Sequence, residues 1–141
     1  MLGARPCSQV FCSTLLRSRT SAELIFPDKW MQESALYDEA ALPVIELPVV
    51  QLPVSVWAVI ARICWLCGYS NGVESHKKAQ QRALQAANEL ATAADREGRA
   101  ILIGHGWMNR LIGRALQDLG WTHSHSSGTG FWSASHYCKA F

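Results

Sequence analysis

Residues 75 to 120 leave this chain little choice of architecture. From about Ser75 to Glu97 the pattern is that of one long helix: Ala79, Ala83, Ala86, Leu90 and Ala94 share a stripe, while Lys77, Lys78, Arg82, Glu89 and Arg96 fall largely off it. Gly98 ends that helix, and after Arg99 comes Ala100-Ile101-Leu102-Ile103, a short apolar run with two β-branched isoleucines. Gly104-His105-Gly106 comes next, and then Met108, Leu111, Ile112, Ala115 and Leu119 recur at helical spacing up to Gly120. A helix, a strand and a helix joined this tightly are a unit of a parallel sheet, so the predicted class is α/β, with the strand at 100 to 103 buried on both faces.

The same pattern places His105 at a strand-to-helix turn. Open α/β sheets hold their ligands beyond the carboxyl ends of the strands, and a following helix offers unpaired N–H groups and a positive dipole end to an anion. Gly104 and Gly106 would let a ligand approach the backbone. A capping or core histidine between two tight turns is the other reading of this stretch.

Bulk properties narrow the partners. At 141 residues, one domain spanning 1–141 is expected. A formal charge of +2 with no basic stripe between aromatics argues against a nucleic acid or an anionic membrane as partner. The apolar stretch Val54 to Tyr69 is shorter than the roughly 20 residues a membrane span needs and carries Arg62 in its middle, so it is expected as a buried helix. Residues 1 to 22 lack Asp and Glu and hold Arg5, Arg17 and Arg19, as transit peptides do, but Pro6 and the strand-like Gln9 to Cys12 suit a presequence poorly; a cytoplasmic protein is expected. Five cysteines with no secretory signal ahead of them point to reduced thiols.

Along the chain, Gln9 to Cys12 reads as a short strand leading into a helix from Ser13 to Leu24, with Leu15, Ala22 and Ile25 on one face and Pro27 closing it. With Ser13 as its cap, Arg17 lies one turn in, within reach of a phosphate bound at that end; a solvated surface arginine is the alternative. Residues 28 to 41 have no clean period and read as loop or broken helix. Leu42-Pro43-Val44, Leu47-Pro48-Val49 and Leu52-Pro53-Val54 repeat every five residues, an extended strap expected to be pinned by its Leu and Val side chains. Cys64 and Cys67 form a Cys-x-x-Cys pair with three readings: core thiols, a redox couple, or half of a zinc site completed by residues such as His123 and His125. The core reading is preferred, since the pair ends an apolar helix. Residues 121 to 130 read as a flexible loop with surface histidines, and 131 to 137 as a final strand.

Two motifs carry a family likeness. Ser13-Thr14-Leu15-Leu16-Arg17-Ser18-Arg19-Thr20-Ser21-Ala22-Glu23 resembles the Ser-Pro-Leu-x-Arg-Ala-x-x-Thr-Ala-Glu segment of the histidine phosphatase superfamily, the phosphoglycerate-mutase-like group. Ile101-Leu102-Ile103-Gly104-His105-Gly106 resembles that family's later strand ending in His-Gly. The resemblance spans roughly residues 8 to 137 and implies a three-layer fold with a mostly parallel central sheet flanked by helices. It implies that Arg17 clamps a phosphoryl group, that His105 stands beside the same group, and that a carboxylic acid protonates the leaving oxygen. Glu39 is the choice for that acid, with Glu33 and Asp38 as alternatives. No cofactor or metal is implied, and the expected partner is a phosphorylated small molecule or inorganic phosphate.

One departure outweighs these matches. The family's nucleophile is a histidine in an Arg-His-Gly motif ending its first, central strand, and this chain has no such motif and no histidine before His76, which opens a polar helix face. The expectation is therefore a phosphomonoester hydrolase or phosphoryl-transfer fold that lacks its central strand and its nucleophile and is inactive as written, with open sheet edges. The alternatives are a non-catalytic protein that binds phosphate ligands or a partner, a thiol-redox protein using Cys64 and Cys67, or a longer chain whose upstream part supplies the missing motif.

Overall fold

The computed structural model describes residues 8–47 and 49–140; Arg5, Pro6 and Cys7 of the N-terminal stretch, Pro48 of the strap and Phe141 lie outside them. The described residues form a mixed α/β fold of four helices, a three-stranded parallel sheet and a separate two-stranded antiparallel sheet.

Strand β1 (Ser8–Cys12) leads through α1 (Leu16–Ile25) to β2 (Met31–Glu33), which lies parallel beside it with Val10 opposite Met31. A 3-10 turn at Ala35–Tyr37 and the strap then run to α2 (Val54–Leu66). Helix α3 (His76–Glu97) is capped at its start by the Ser75 hydroxyl and closed by Gly98, whose φ of 80° is the left-handed conformation that glycine adopts without strain. Strand β3 (Arg99–Ile103) returns to the other side of β1, Ser8 opposite Arg99 and Cys12 opposite Ile103, giving the order β2-β1-β3. Helix α4 (Gly106–Asp118) and the hairpin of β4 (Thr122–Ser126) and β5 (Ser135–Cys138) complete the chain.

Of the expected stripe of α3, Ala79, Ala83, Ala86 and Leu90 are buried, joined by Ala87 and by Ala93 in place of the half-buried Ala94, and small side chains there admit α4 and the sheet at close range. Phe11, Tyr37, Trp65, Met108, Leu111 and Ile112 fill the same core. Gly113 lets the hairpin close on α4, because a Cβ at that position would overlap the Tyr137 hydroxyl.

Several expectations need correction. The strand buried on both faces is β1, whose Val10, Phe11 and Cys12 are all inaccessible; β3 is only half-buried, because among the described residues it pairs with β1 alone and its outer edge is open. On α1 the buried residues are Ser18 and Ala22, and Leu15 and Ile25 face solvent. Residues 31 to 33, read as loop, join the sheet because β1 offers an edge there. The strap is not pinned by its side chains: Val44, Leu47 and Val49 are exposed, and Pro43 is the buried residue. Nor is α2 a buried helix, since it sinks only Ala61 and Trp65 and turns Val54, Val59 and Ile63 outward. Cys64 is half-buried and Cys67 exposed, so the pair is not core. Residues 122 to 126 are a strand despite full exposure, held by pairing with β5. No helix of the described residues is long and apolar enough to cross a membrane.

Candidate functional site

The register of β1 against β3 sets the chemistry. Because Cys12 lies opposite Ile103, the residues after each strand emerge side by side, and Ser13 meets His105 across 92 positions of sequence. The Ser13 hydroxyl is 2.7 Å from His105 Nε2, and an Arg17 guanidinium nitrogen is 3.2 Å from His105 Nδ1. His105 itself is buried, 4% exposed. Ser18 ties the two strand ends together: its hydroxyl donates to the Ile103 carbonyl and accepts the Ser13 N–H at 3.1 Å.

These contacts decide a proton. A guanidinium can only donate, so Nδ1 is the acceptor, the proton sits on Nε2, and His105 is neutral. Burial lowers the His105 pKa from its ordinary 6.5, Arg17 lowers it further, and Glu39 and Asp38 oppose the shift. The Nε2–H then donates to Ser13, whose oxygen also accepts the Leu15 N–H at 3.2 Å. Such a histidine cannot take the proton of Ser13, so the pair is not an activated serine nucleophile; an acid would have to stand where Arg17 stands. What the arrangement offers an oxyanion is a guanidinium fork on an exposed arginine and the start of a helix; the imidazole, whose Nε2–H is given to Ser13, serves an anion only once Nδ1 has taken a proton.

Glu39 arrives from the other side. The Arg82 guanidinium, gripped by Glu74 at 2.7 and 2.9 Å, donates to the carbonyls of Ala35, Leu36 and Asp38 and so fixes the segment after the 3-10 turn. From that segment the Glu39 carboxylate accepts the backbone N–H of Met108 at 3.0 Å and of Trp107 at 3.4 Å, in the first turn of α4. Of the two alternatives, Asp38 accepts both the N–H and the hydroxyl of Thr14, and Glu33 pairs with Arg19 at 3.1 Å. The structure therefore brings His105 and Arg17 together, sets the Glu39 carboxylate on the first turn of the helix that His105 precedes and Asp38 on Thr14, and puts His76 elsewhere, its ring edge-on against Trp65.

The two glycines divide their roles. A Cβ at Gly104 would collide with the Asn109 side-chain oxygen, so that glycine serves internal packing rather than a ligand's approach; one at Gly106 would meet open space. Among the described residues no three His, Cys, Asp or Glu side chains are grouped to hold a metal ion, and Cys64 and Cys67 stand apart from His123 and His125 in this respect.

Sequence reasoning missed Arg62. Its guanidinium lies between two indoles, 4.9 Å from the Trp65 ring and 4.7 Å from that of Trp107, and donates to the Ala40 carbonyl at 3.2 Å. Burial lowers its pKa, an effect that Glu39 partly offsets. A lone arginine in an apolar helix was the available signal, since such a charge needs a reason to be there.

No family model, curated protein or solved structure matches this chain.

Proposed function

We propose that this chain binds phosphorylated small molecules or inorganic phosphate at Arg17 and His105 without turning them over by a covalent route. The observation that carries the reading is the meeting of Arg17 and His105 at 3.2 Å, 88 residues apart, where adjacent parallel strands end together. A phosphate oxygen is a better acceptor for Arg17 than a neutral imidazole nitrogen, so an anion can displace that contact, and His105 faces it as a donor by taking a proton on the freed Nδ1.

The resemblance to the histidine phosphatase superfamily adds support on the two quoted motifs, and the three-layer arrangement belongs to the same proposal. Val10, Cys12 and Ala22 are buried apart from the main core that holds Phe11, which fits α1 covering one face of β1 while α3 covers the other. Turnover is not part of it: the histidine beside Arg17 is hydrogen-bonded at both ring nitrogens, to Ser13 and to Arg17, and stands as a neighbour of the anion rather than a free nucleophile.

Thermal unfolding in a phosphate series tests this. Phosphate at about 100 times its Kd should add about 2.7 kcal/mol, a rise of several degrees for a domain this size. Arg17→Ala should abolish the rise while leaving the unliganded melting temperature nearly unchanged. The native chain should hydrolyse p-nitrophenyl phosphate no faster than His105→Ala does. A melting curve indifferent to phosphate removes the proposal.

A further inference from the structure

The Arg62 guanidinium carbon lies over two indole rings, 4.9 Å from the centroid of Trp65 and 4.7 Å from that of Trp107, so its charge is partly answered by aromatic faces and its hydrogen-bonding capacity by little else. Its Nη2 donates to the Ala40 carbonyl. Its Nη1 is buried and has no partner, and the indole Nε1–H of neighbouring Trp107 is likewise buried and unpartnered. Two donors in neighbouring planar groups thus share the lack of an acceptor, and each is costly to leave unmade.

Charge points the same way. Among the described residues Arg62 forms no salt bridge. The nearest acid in its surroundings, Glu39, already spends its oxygens on the N–H groups of Ala40, Trp107 and Met108. A second cation, Arg110, lies 5.4 Å from the Trp107 ring. A partly desolvated guanidinium without a counter-ion is unfavourable, and an incoming oxyanion would answer the charge and both open donors at once. Trp107 is two residues beyond His105, and Glu39 acts electrostatically on both His105 and Arg62, so this corner adjoins the anion site described above.

We propose that Arg62 Nη1 and Trp107 Nε1 form a second oxyanion subsite beside Arg17 and His105, so that the ligand carries two anionic oxygen groups. This rests on the phosphate-binding reading and narrows its ligand to phosphates that carry a second anionic group. Arg62 and Trp107 are the residues that separate such ligands from simple phosphate.

The test titrates the full chain with inorganic phosphate, pyrophosphate and tripolyphosphate by calorimetry. One of the two polyphosphates should bind about tenfold or more tightly than phosphate, the size of one charge-assisted hydrogen bond. Trp107→Phe, which keeps an aromatic ring and deletes the indole N–H, and Arg62→Lys, which keeps the charge and loses the planar edge, should each bring that ratio close to one while phosphate binds as before. In the native chain the indole N–H resonance of Trp107 should move on adding the polyphosphate and stay put with phosphate, a readout that needs no variant to fold. A preference that survives both substitutions, or a Trp107 resonance that ignores the polyphosphate, overturns the subsite and leaves phosphate binding standing. Absence of any phosphate binding overturns both.

Discussion

Two polar clusters flank β1, and they are built on opposite plans. Toward its amino end, Arg96 donates to Gln9 at 2.9 Å, Gln9 to Gln32 at 2.8 Å, Gln32 to Glu89 at 2.5 Å, and Tyr37 to the other oxygen of Glu89 at 2.7 Å. Every donor in that chain ends on an acceptor, and the series crosses β1, β2 and α3, beside a groove of about 430 Å³. Burial and the bond to Glu89 hold the Tyr37 hydroxyl well above its ordinary pKa, so it stays a donor. At the carboxyl end, Arg17 is exposed and leans on an imidazole, while Arg62 and Trp107 keep donors with nothing to give them to. A completed network fixes register and packing; an incomplete one keeps capacity for something that arrives from outside.

The sharpest way to break this comparison is to remove the sink of the completed cluster. Glu89→Ala strands the inaccessible Tyr37 hydroxyl and the Gln32 amide and should cost about 2–3 kcal/mol in urea denaturation, with the phosphate-induced melting shift retained. If that substitution abolished the shift instead, the two clusters would be one system. Ser18→Ala sits between the plans, since it unpairs the Ile103 carbonyl and the Ser13 N–H where β1 meets β3. It should cost about 1–2 kcal/mol and also weaken phosphate binding measurably by calorimetry. The smallest effect is a pH slope. His105 is held below its ordinary 6.5, so the unfolded chain takes up its proton first as the pH drops. The stability due to the neutral ring is therefore whole above about 6.5 and declines as the pH falls toward the lowered value of the folded state. Denaturation midpoints of His105→Gln should lack that part of the decline.

The sequence was informative where a period ran long enough to be read. The alanine stripe announced α3, Gly98 its end, and the Gly-His-Gly turn the start of α4. The meeting of Arg17 and His105 was legible through two motifs; between Glu39 and Asp38 the sequence had no spacing to decide, and the fold sets one on the first turn of α4 and the other on Thr14. Three features were illegible for physical reasons. Met31–Glu33 is too short to show alternation and owes its strand to the edge of β1. Thr122–Ser126 has no apolar residue to mark an inner face, because none of its side chains is buried. Which strand lies in the middle depends on pairing across about 90 positions, a matter of topology that no local period records. Arg62 belongs with these, since the two indoles that hold it come from different helices.

The parallel pairing of β1 with β3 also has a kinetic side. Arg17 and His105 come together only when a loop of 88 positions has closed, and closure over such a separation is among the slow events of folding. An anion held by both residues therefore grips the latest contact to form and the first that global opening must release. Its presence should lengthen the lifetime of the folded state by slowing unfolding and leave the rate of folding almost untouched.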